Sequence, residues 1–154
     1  MLMKKILLLL FALQFTFGVQ AQDTTTFNLT FNHLALSVTD VYRSADFYHN
    51  ILKLPEITNK TKIDGIRWFS LGEGKELHLI SILKEKVTIN KAVHVALTTD
   101  NFDALLTSLQ QKNIHYSDWP GVPDKINIRA DGIKQIFFQD PDGYWIEVNS
   151  VGQK

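Results

Sequence analysis

An α+β fold made of two copies of one unit is predicted by three features of the sequence. Asn32-His-Leu-Ala-Leu-Ser-Val38 recurs as Val93-His-Val-Ala-Leu-Thr-Thr99, so that His33 superposes on His94. Trp68-Phe-Ser-Leu-Gly-Glu-Gly-Lys-Glu-Leu-His-Leu79 recurs as Phe137-Phe-Gln-Asp-Pro-Asp-Gly-Tyr-Trp-Ile-Glu-Val148, so that Phe69 meets Phe138 and His78 meets Glu147. Between the opening and closing segments of each copy lies an apolar pattern with helical spacing.

The elements follow in order. Lys4 and Lys5 precede the apolar run Ile6–Ala12, and Val19-Gln20-Ala21 places small residues at the −3 and −1 positions of a cleavage point. This predicts a secretory signal peptide over 1–21, too short in its apolar part to span a bilayer, and an exported protein (periplasmic or secreted) that begins near Gln22. The domain is expected over 27–150, with modules at about 27–84 and 91–150. In the first strand Leu34, Leu36 and Val38 share one face and His33, Ala35 and Ser37 the other. The second opening strand sorts the same way, with Val93, Val95 and Leu97 against His94, Ala96 and Thr98. A face that reads His, Ala and a small hydroxyl leaves room for a ligand. Asp40 is placed to cap a helix carrying Val41, Ala45, Tyr48 and Leu52, and Asp100 to cap one carrying Phe102, Leu105, Leu106 and Leu109. Hairpins are expected from Ile66–Leu71 with Glu76–Leu83 and from Lys134–Gln139 with Tyr144–Ser150. In the second turn, Asp140–Gly143, Pro141 fixes φ and Gly143 supplies a positive one, so these aspartates read as turn residues. Glu85–Lys91 is short enough to hold the halves together. The stretch from Trp119 to Ile133 lacks periodicity and is a candidate cover for a cavity.

Composition excludes several partners. Removing Lys4 and Lys5 leaves 14 basic against 16 acidic side chains, a formal charge of −2 with no basic stripe, so neither nucleic acid nor a membrane surface is indicated. No cysteine is present, so there is no disulfide framework, and no cysteine follows the cleavage point to accept a lipid. Any metal must be held by His, carboxylate and water.

His33, His78, His94 and Glu147 supply such a set, one donor on the first and one on the last strand of each copy. Glu76 shares the side of His78 and is a substitute or supporting candidate. His49 and His115 have no counterpart in the repeat and read as surface or packing residues. Asn149 shares the face of Glu147 and is placed to orient it or a substrate. Trp68, Phe69 and Trp145 fit ordinary core packing better than a pocket lining.

The opening His33-Leu-Ala-Leu-Ser-Val-Thr-Asp40, the helix Arg43-Ser-Ala-Asp-Phe-Tyr48 with Ile51-Leu52, and the closing Asp140-Pro-Asp-Gly-Tyr-Trp-Ile-Glu147, in this order and spacing, resemble the vicinal-oxygen-chelate superfamily of glyoxalases, bleomycin-resistance proteins and extradiol dioxygenases. The resemblance runs from Phe31 to Ser150. It implies paired βαβββ modules forming a cupped, mixed sheet around one divalent ion, with His33, His78, His94 and Glu147 as ligands. Family members complete that site in one chain or share it between two, and a homodimer is expected. Three imidazoles and a carboxylate suit zinc, nickel, cobalt, manganese or iron(II). Two open coordination positions would chelate neighbouring oxygens of a small substrate, with Glu147 taking the proton beside its carbonyl, as in a glyoxalase-type lyase or isomerase. The alternatives are an extradiol-type dioxygenase using His33, His94 and Glu147, and a non-catalytic drug-sequestering protein.

Overall fold

The structure, a computed structural model, describes residues 29–83, 85 and 87–151. The expected leader, 1–21, lies outside these residues. The described residues from Phe31 to Val151 form one compact unit. Its first half runs β1 (His33–Ser37), α1 (Val41–Asn50), β2 (Glu56–Ile57), β3 (Ile66–Gly72) and β4 (Lys75–Ile80). The second runs β5 (His94–Thr98), α2 (Phe102–Gln111), β6 (Asn127–Ile128), β7 (Lys134–Gln139) and β8 (Trp145–Asn149). Each half is therefore βαβββ, and each makes its own four-stranded mixed sheet, ordered β1-β4-β3-β2 and β5-β8-β7-β6. The expected α+β class and its doubling are what is observed.

Register carries the repeat to single residues. In the parallel pair β1–β4, Ala35 stands opposite His78, and in β5–β8, Ala96 stands opposite Glu147. In the hairpins Trp68 pairs with His78 as Phe137 pairs with Glu147. His78 and Glu147 thus occupy one position of the repeat, and Glu76 corresponds to Trp145.

Alternation sorts the strands as expected. Leu36, Val38, Leu77, Leu79 and Phe69 are buried on the core side of the first sheet, as are Ile136, Phe138, Ile146 and Val148 in the second. Helix α1 adds Val41, Ala45 and Tyr48 at three- and four-residue spacing, and Phe47 meets Phe138 with ring centroids 6.4 Å apart. The two halves therefore share one core. Each fully buried Phe or Leu there contributes about 1.5–3 kcal/mol by leaving water.

Asp40 caps α1 as expected, accepting from Tyr42 N (2.9 Å) and Arg43 N (3.2 Å). The N-cap of α2 is Asn101 rather than Asp100, and its side chain makes no capping bond. Its N–H instead donates to Thr99 Oγ1, 3.1 Å away, an ST-type turn that moves the helix start by one residue. The βαβββ pattern implied one more strand after each helix, but the sequence did not locate these strands, β2 and β6. Each is two residues long and completes one sheet at its outer edge, too short to show any alternation. Among the described residues no helix is long and apolar enough to cross a membrane.

The Asp140–Gly143 turn is indeed a turn, with Gly143 at φ +89°, but it does more than reverse the chain. Asp140 Oδ1 accepts from the N–H groups of Asp142 (2.9 Å) and Tyr144 (2.8 Å), and Asp140 Oδ2 accepts from Tyr48 OH on α1 (2.9 Å). Asp142 accepts from Thr39 N (2.7 Å), Thr39 Oγ1 and Ser44 Oγ (2.5 Å), with Arg43 at 3.4 Å. Tyr144 OH donates to Ser37 O (3.0 Å). The closing turn of the second module is thereby fastened to the start of α1 in the first. Burial raises the Asp140 carboxyl above the ordinary carboxylate range and the Tyr48 phenol above its own. Burial alone would raise Asp142 too, but the bonds from Ser44 and Thr39 and the charge of Arg43 outweigh it and hold this carboxyl low.

Candidate functional site

The four expected ligands lie on the strand faces opposite the core, and the structure gathers them as two pairs. In the first module His33 and His78 stack with ring centroids 4.3 Å apart and planes 16° from parallel. On the far side of His78 lies Trp68, stacked at 4.1 Å and 6°. Glu76 Oε2 reaches His78 Nε2 at 2.7 Å. Glu76 is thus the hydrogen-bonded companion of His78. In the second module His94 Nε2 lies 3.3 Å from Glu147 Oε2, and Asn149 Nδ2 donates to Glu147 Oε1 at 3.0 Å. Glu147 and Asn149 are both buried, at 7% and 8% exposure, whereas His33 and Ala35 in β1 are open to solvent.

Both opening-strand histidines are oriented through Nδ1. That of His94 faces Lys91 O at 2.9 Å, and that of His33 faces Asn32 Oδ1 at 2.7 Å. Carbonyl oxygens only accept, so each Nδ1 carries the hydrogen and each Nε2 the lone pair. The lone-pair nitrogen of a neutral His94 would then face a carboxylate oxygen. An imidazole nitrogen and a carboxylate oxygen side by side are donor types that first-row divalent ions take. Among the described residues of one chain, however, no three His, Cys, Asp or Glu side chains are grouped to hold an ion. The four donors are not brought together within one copy. The reason is topological: each pair belongs to its own sheet, and the sheet edges β1 and β5, beside the two pairs, carry no further strand.

Trp119, which opens the stretch expected as a candidate cover, stands against His94 of the second pair, and sequence reasoning missed what fastens it. The chain from Ser117 returns across the sheet: Ser117 exchanges both backbone hydrogen bonds with Phe137 and then turns. Asp118 Oδ1 accepts from Gly121 N (3.0 Å) and Val122 N (2.8 Å), and Asp118 Oδ2 pairs with Lys125 at 3.0 Å. Lys91 fastens this turn. Its Nζ donates to Ser117 Oγ (3.1 Å), Asp118 O (2.5 Å) and Trp119 O (3.1 Å). The same ammonium lies 4.6 Å from the ring centre of Phe137, 4.9 Å from that of Trp145 and 5.7 Å from that of Trp119. Burial lowers its pKa from the usual lysine range. The sequence marked Lys91 only as the end of the connection Glu85–Lys91.

Trp68 and Trp145, expected in the core, stand instead on the ligand side, half-buried, one stacked on His78 and one beneath Lys91. Alternation explains this, since each is an even number of residues from its module's turn-side ligand partner: Trp145 is two before Glu147, and Trp68 is the register partner of His78. Phe69 is in the core as expected. The histidines set aside from the site are outside it: His49 meets Leu54 O at 3.2 Å, and His115, largely exposed, meets Asp124 at 3.5 Å.

Comparison with known proteins agrees with this architecture. Residues 30–148 match the model of the Glyoxalase/Bleomycin resistance protein/Dioxygenase superfamily. Glyoxylase I 4 of Arabidopsis thaliana is 26% identical over 123 residues, covering 76% of this chain and 68% of that protein. Metallothiol transferase FosB of Staphylococcus saprophyticus is 28% identical over 127 residues, 77% of this chain and 75% of its own. The solved structure of Oxidase ChaP-H2 superposes with a TM-score of 0.65 at 20% identity, covering 82% of this chain and 96% of the other. At that identity it speaks to the fold alone. The two sequence relatives carry names from two reaction types, and a shared fold does not choose between them.

Proposed function

Because the chain belongs to the Glyoxalase/Bleomycin resistance protein/Dioxygenase superfamily, we propose that it is a metal-dependent lyase or isomerase that removes a proton beside a carbonyl of a small substrate. The observation that carries this reading is the register equivalence of His78 and Glu147, opposite Ala35 and Ala96, with His33 and His94 leading their strands. The residues that would hold the ion are His33 and His78 from one copy and His94 and Glu147 from a second. The division of the donors into two pairs, each beside an open sheet edge, favours this sharing.

A first-row divalent ion there would supply Lewis acidity to two neighbouring substrate oxygens. The remaining work falls to the protein. Glu147 is the base: Asn149 holds Oε1, so Oε2 is the oxygen left to move between His94 and a substrate proton. Lys91 O and Asn32 Oδ1 fix the rings of His94 and His33. The small side chains Ala35, Ala96 and Thr98 leave the substrate its space, and Ala96 and Thr98 are exposed in one copy. Glu76, bonded to His78, would orient that imidazole.

Solvent deuterium exchange at the α-carbon of a bound α-hydroxycarbonyl tests the reading. The wild type should exchange and Glu147→Gln should not, because an amide oxygen is a negligible base. Equal exchange by both would remove Glu147 as the base. Absence of exchange in both, with binding intact, would make this a sequestering protein.

A further inference from the structure

We propose that Trp119 is a fixed platform for a planar, uncharged aromatic group of the substrate, so that the molecule taken is an aryl compound bearing vicinal oxygens. The inference rests on the site assigned above and adds to it the part of the substrate that does not react.

Trp119 is 48% exposed, an unusual state for a tryptophan that is held on so many sides. Its carbonyl accepts from Lys91 Nζ, and the preceding turn is closed by three contacts to the Asp118 carboxylate. The ring meets Phe137 edge-on, with centroids 5.4 Å apart and planes at 65°. It meets His94 in the same way, at 6.1 Å and 66°. His94 in turn touches Glu147. A rigid indole with free surface therefore adjoins the side chains assigned to the reacting oxygens. A planar group stacked on it pays little ordering entropy on the protein's side, because the platform is already set.

The charge around the platform argues for a neutral ligand. Lys91 has all three ammonium hydrogens engaged by protein oxygens. Lys125 pairs with Asp118, Arg129 with Asp131 at 2.8 Å and Lys134 with Asp103 at 3.3 Å. From Ser117 to Lys134 every Lys and Arg is thus matched to a carboxylate of this chain. Among these described residues a thiol-peptide adduct with its several carboxylates would find no unmatched cation, whereas a neutral aryl ketone or catechol needs none.

The test compares 2-hydroxyacetophenone with hydroxyacetone, which share the oxygen-bearing carbons and differ in the ring. Affinities are measured by calorimetry on the purified full-length protein, both loaded with a divalent ion and stripped of metal. The wild type should prefer the aryl compound about tenfold, the size of one aromatic contact. Trp119→Ala and Trp119→Leu should reduce the preference to about twofold or less, while Trp119→Phe keeps most of it. Metal content should be the same in all four proteins. A preference unchanged in Trp119→Leu, whose side chain keeps apolar volume in the loop, overturns the proposal. So does a wild type that binds both compounds equally, or a change of oligomeric state in Trp119→Ala with the preference intact. A Trp119-dependent preference that persists in protein unable to take up metal would support the platform and refute the metal site. Metal binding without that preference would do the reverse.

Discussion

Asp142→Ala tests the fastening between the two modules. The carboxylate accepts Thr39 N and Oγ1, Ser44 Oγ and, more loosely, Arg43, and its side chain is 4% exposed. A hydrogen bond to a charged group contributes about 1.5–3 kcal/mol when buried. Ser44 is fully buried, so its bond merits about 2 kcal/mol by that measure, although Ser44 Oγ keeps Asp40 O as a partner in the variant. Thr39 is exposed and water can replace its bonds, leaving about 1 kcal/mol. Arg43 is half exposed and adds close to nothing. The expected loss is about 3 kcal/mol, read from urea unfolding followed by circular dichroism at pH 7. The sign with pH follows from the lowered pKa of Asp142. A carboxyl held below its unfolded value stabilises fully above about 3.9, and that contribution disappears as pH falls through the lower folded value. Asp140, raised in the fold, acts in the opposite sense but is present in both proteins and does not enter their difference to first order. The gap between wild type and Asp142→Ala should therefore be widest near neutrality and close below about pH 4. A loss under about 1 kcal/mol, or a gap that does not change with pH, would refute the reasoning.

Other outcomes follow from the same geometry. Tyr48→Phe removes one buried donor from Asp140, which keeps two backbone donors, and should cost about 1–2 kcal/mol in the same unfolding assay. Gly143→Ala meets only the end of Gln139 at 3.7 Å, so its cost is the positive φ alone, about 1–2 kcal/mol. Lys91→Met keeps the apolar stem but releases the turn, so hydrogen exchange at Gly121 and Val122 should quicken while exchange in β3 does not. Protein from the native host should begin at Gln22 by N-terminal sequencing; a retained Met1 would contradict export.

The repeat was legible because a hairpin has a period of two and a glycine-bearing turn, which pin Phe69 to Phe138 and hence His78 to Glu147. Strands β2 and β6 were not, because two residues at an edge carry no periodicity. The choice between Asp100 and Asn101 as cap turned on a backbone bond to Thr99 that no propensity distinguishes. Asp140 and Asp142 fit the requirements of a turn so well that their second task, gripping α1 and the Thr39 before it from 92 to 103 residues away, left no separate trace. The part Lys91 plays in holding the Trp119 stretch escaped for a similar reason: it acts through carbonyls and ring faces, which sequence patterns do not encode. The separation of the four donors into two pairs is a property of how the sheets sit in the folded chain, beyond the reach of any motif.

The central claim is that two copies of the chain share each ion, and complementation between half-site variants tests it most directly. One variant carries His33→Ala and His78→Ala, the other His94→Ala and Glu147→Gln. Each alone should bind no ion. When the two are unfolded together and refolded, the mixed dimer has one site with all four donors and one with none. Elemental analysis of the isolated mixed dimer should therefore find about one ion per dimer, against about two for the wild type. A mixed dimer as empty as its parents would contradict the shared site.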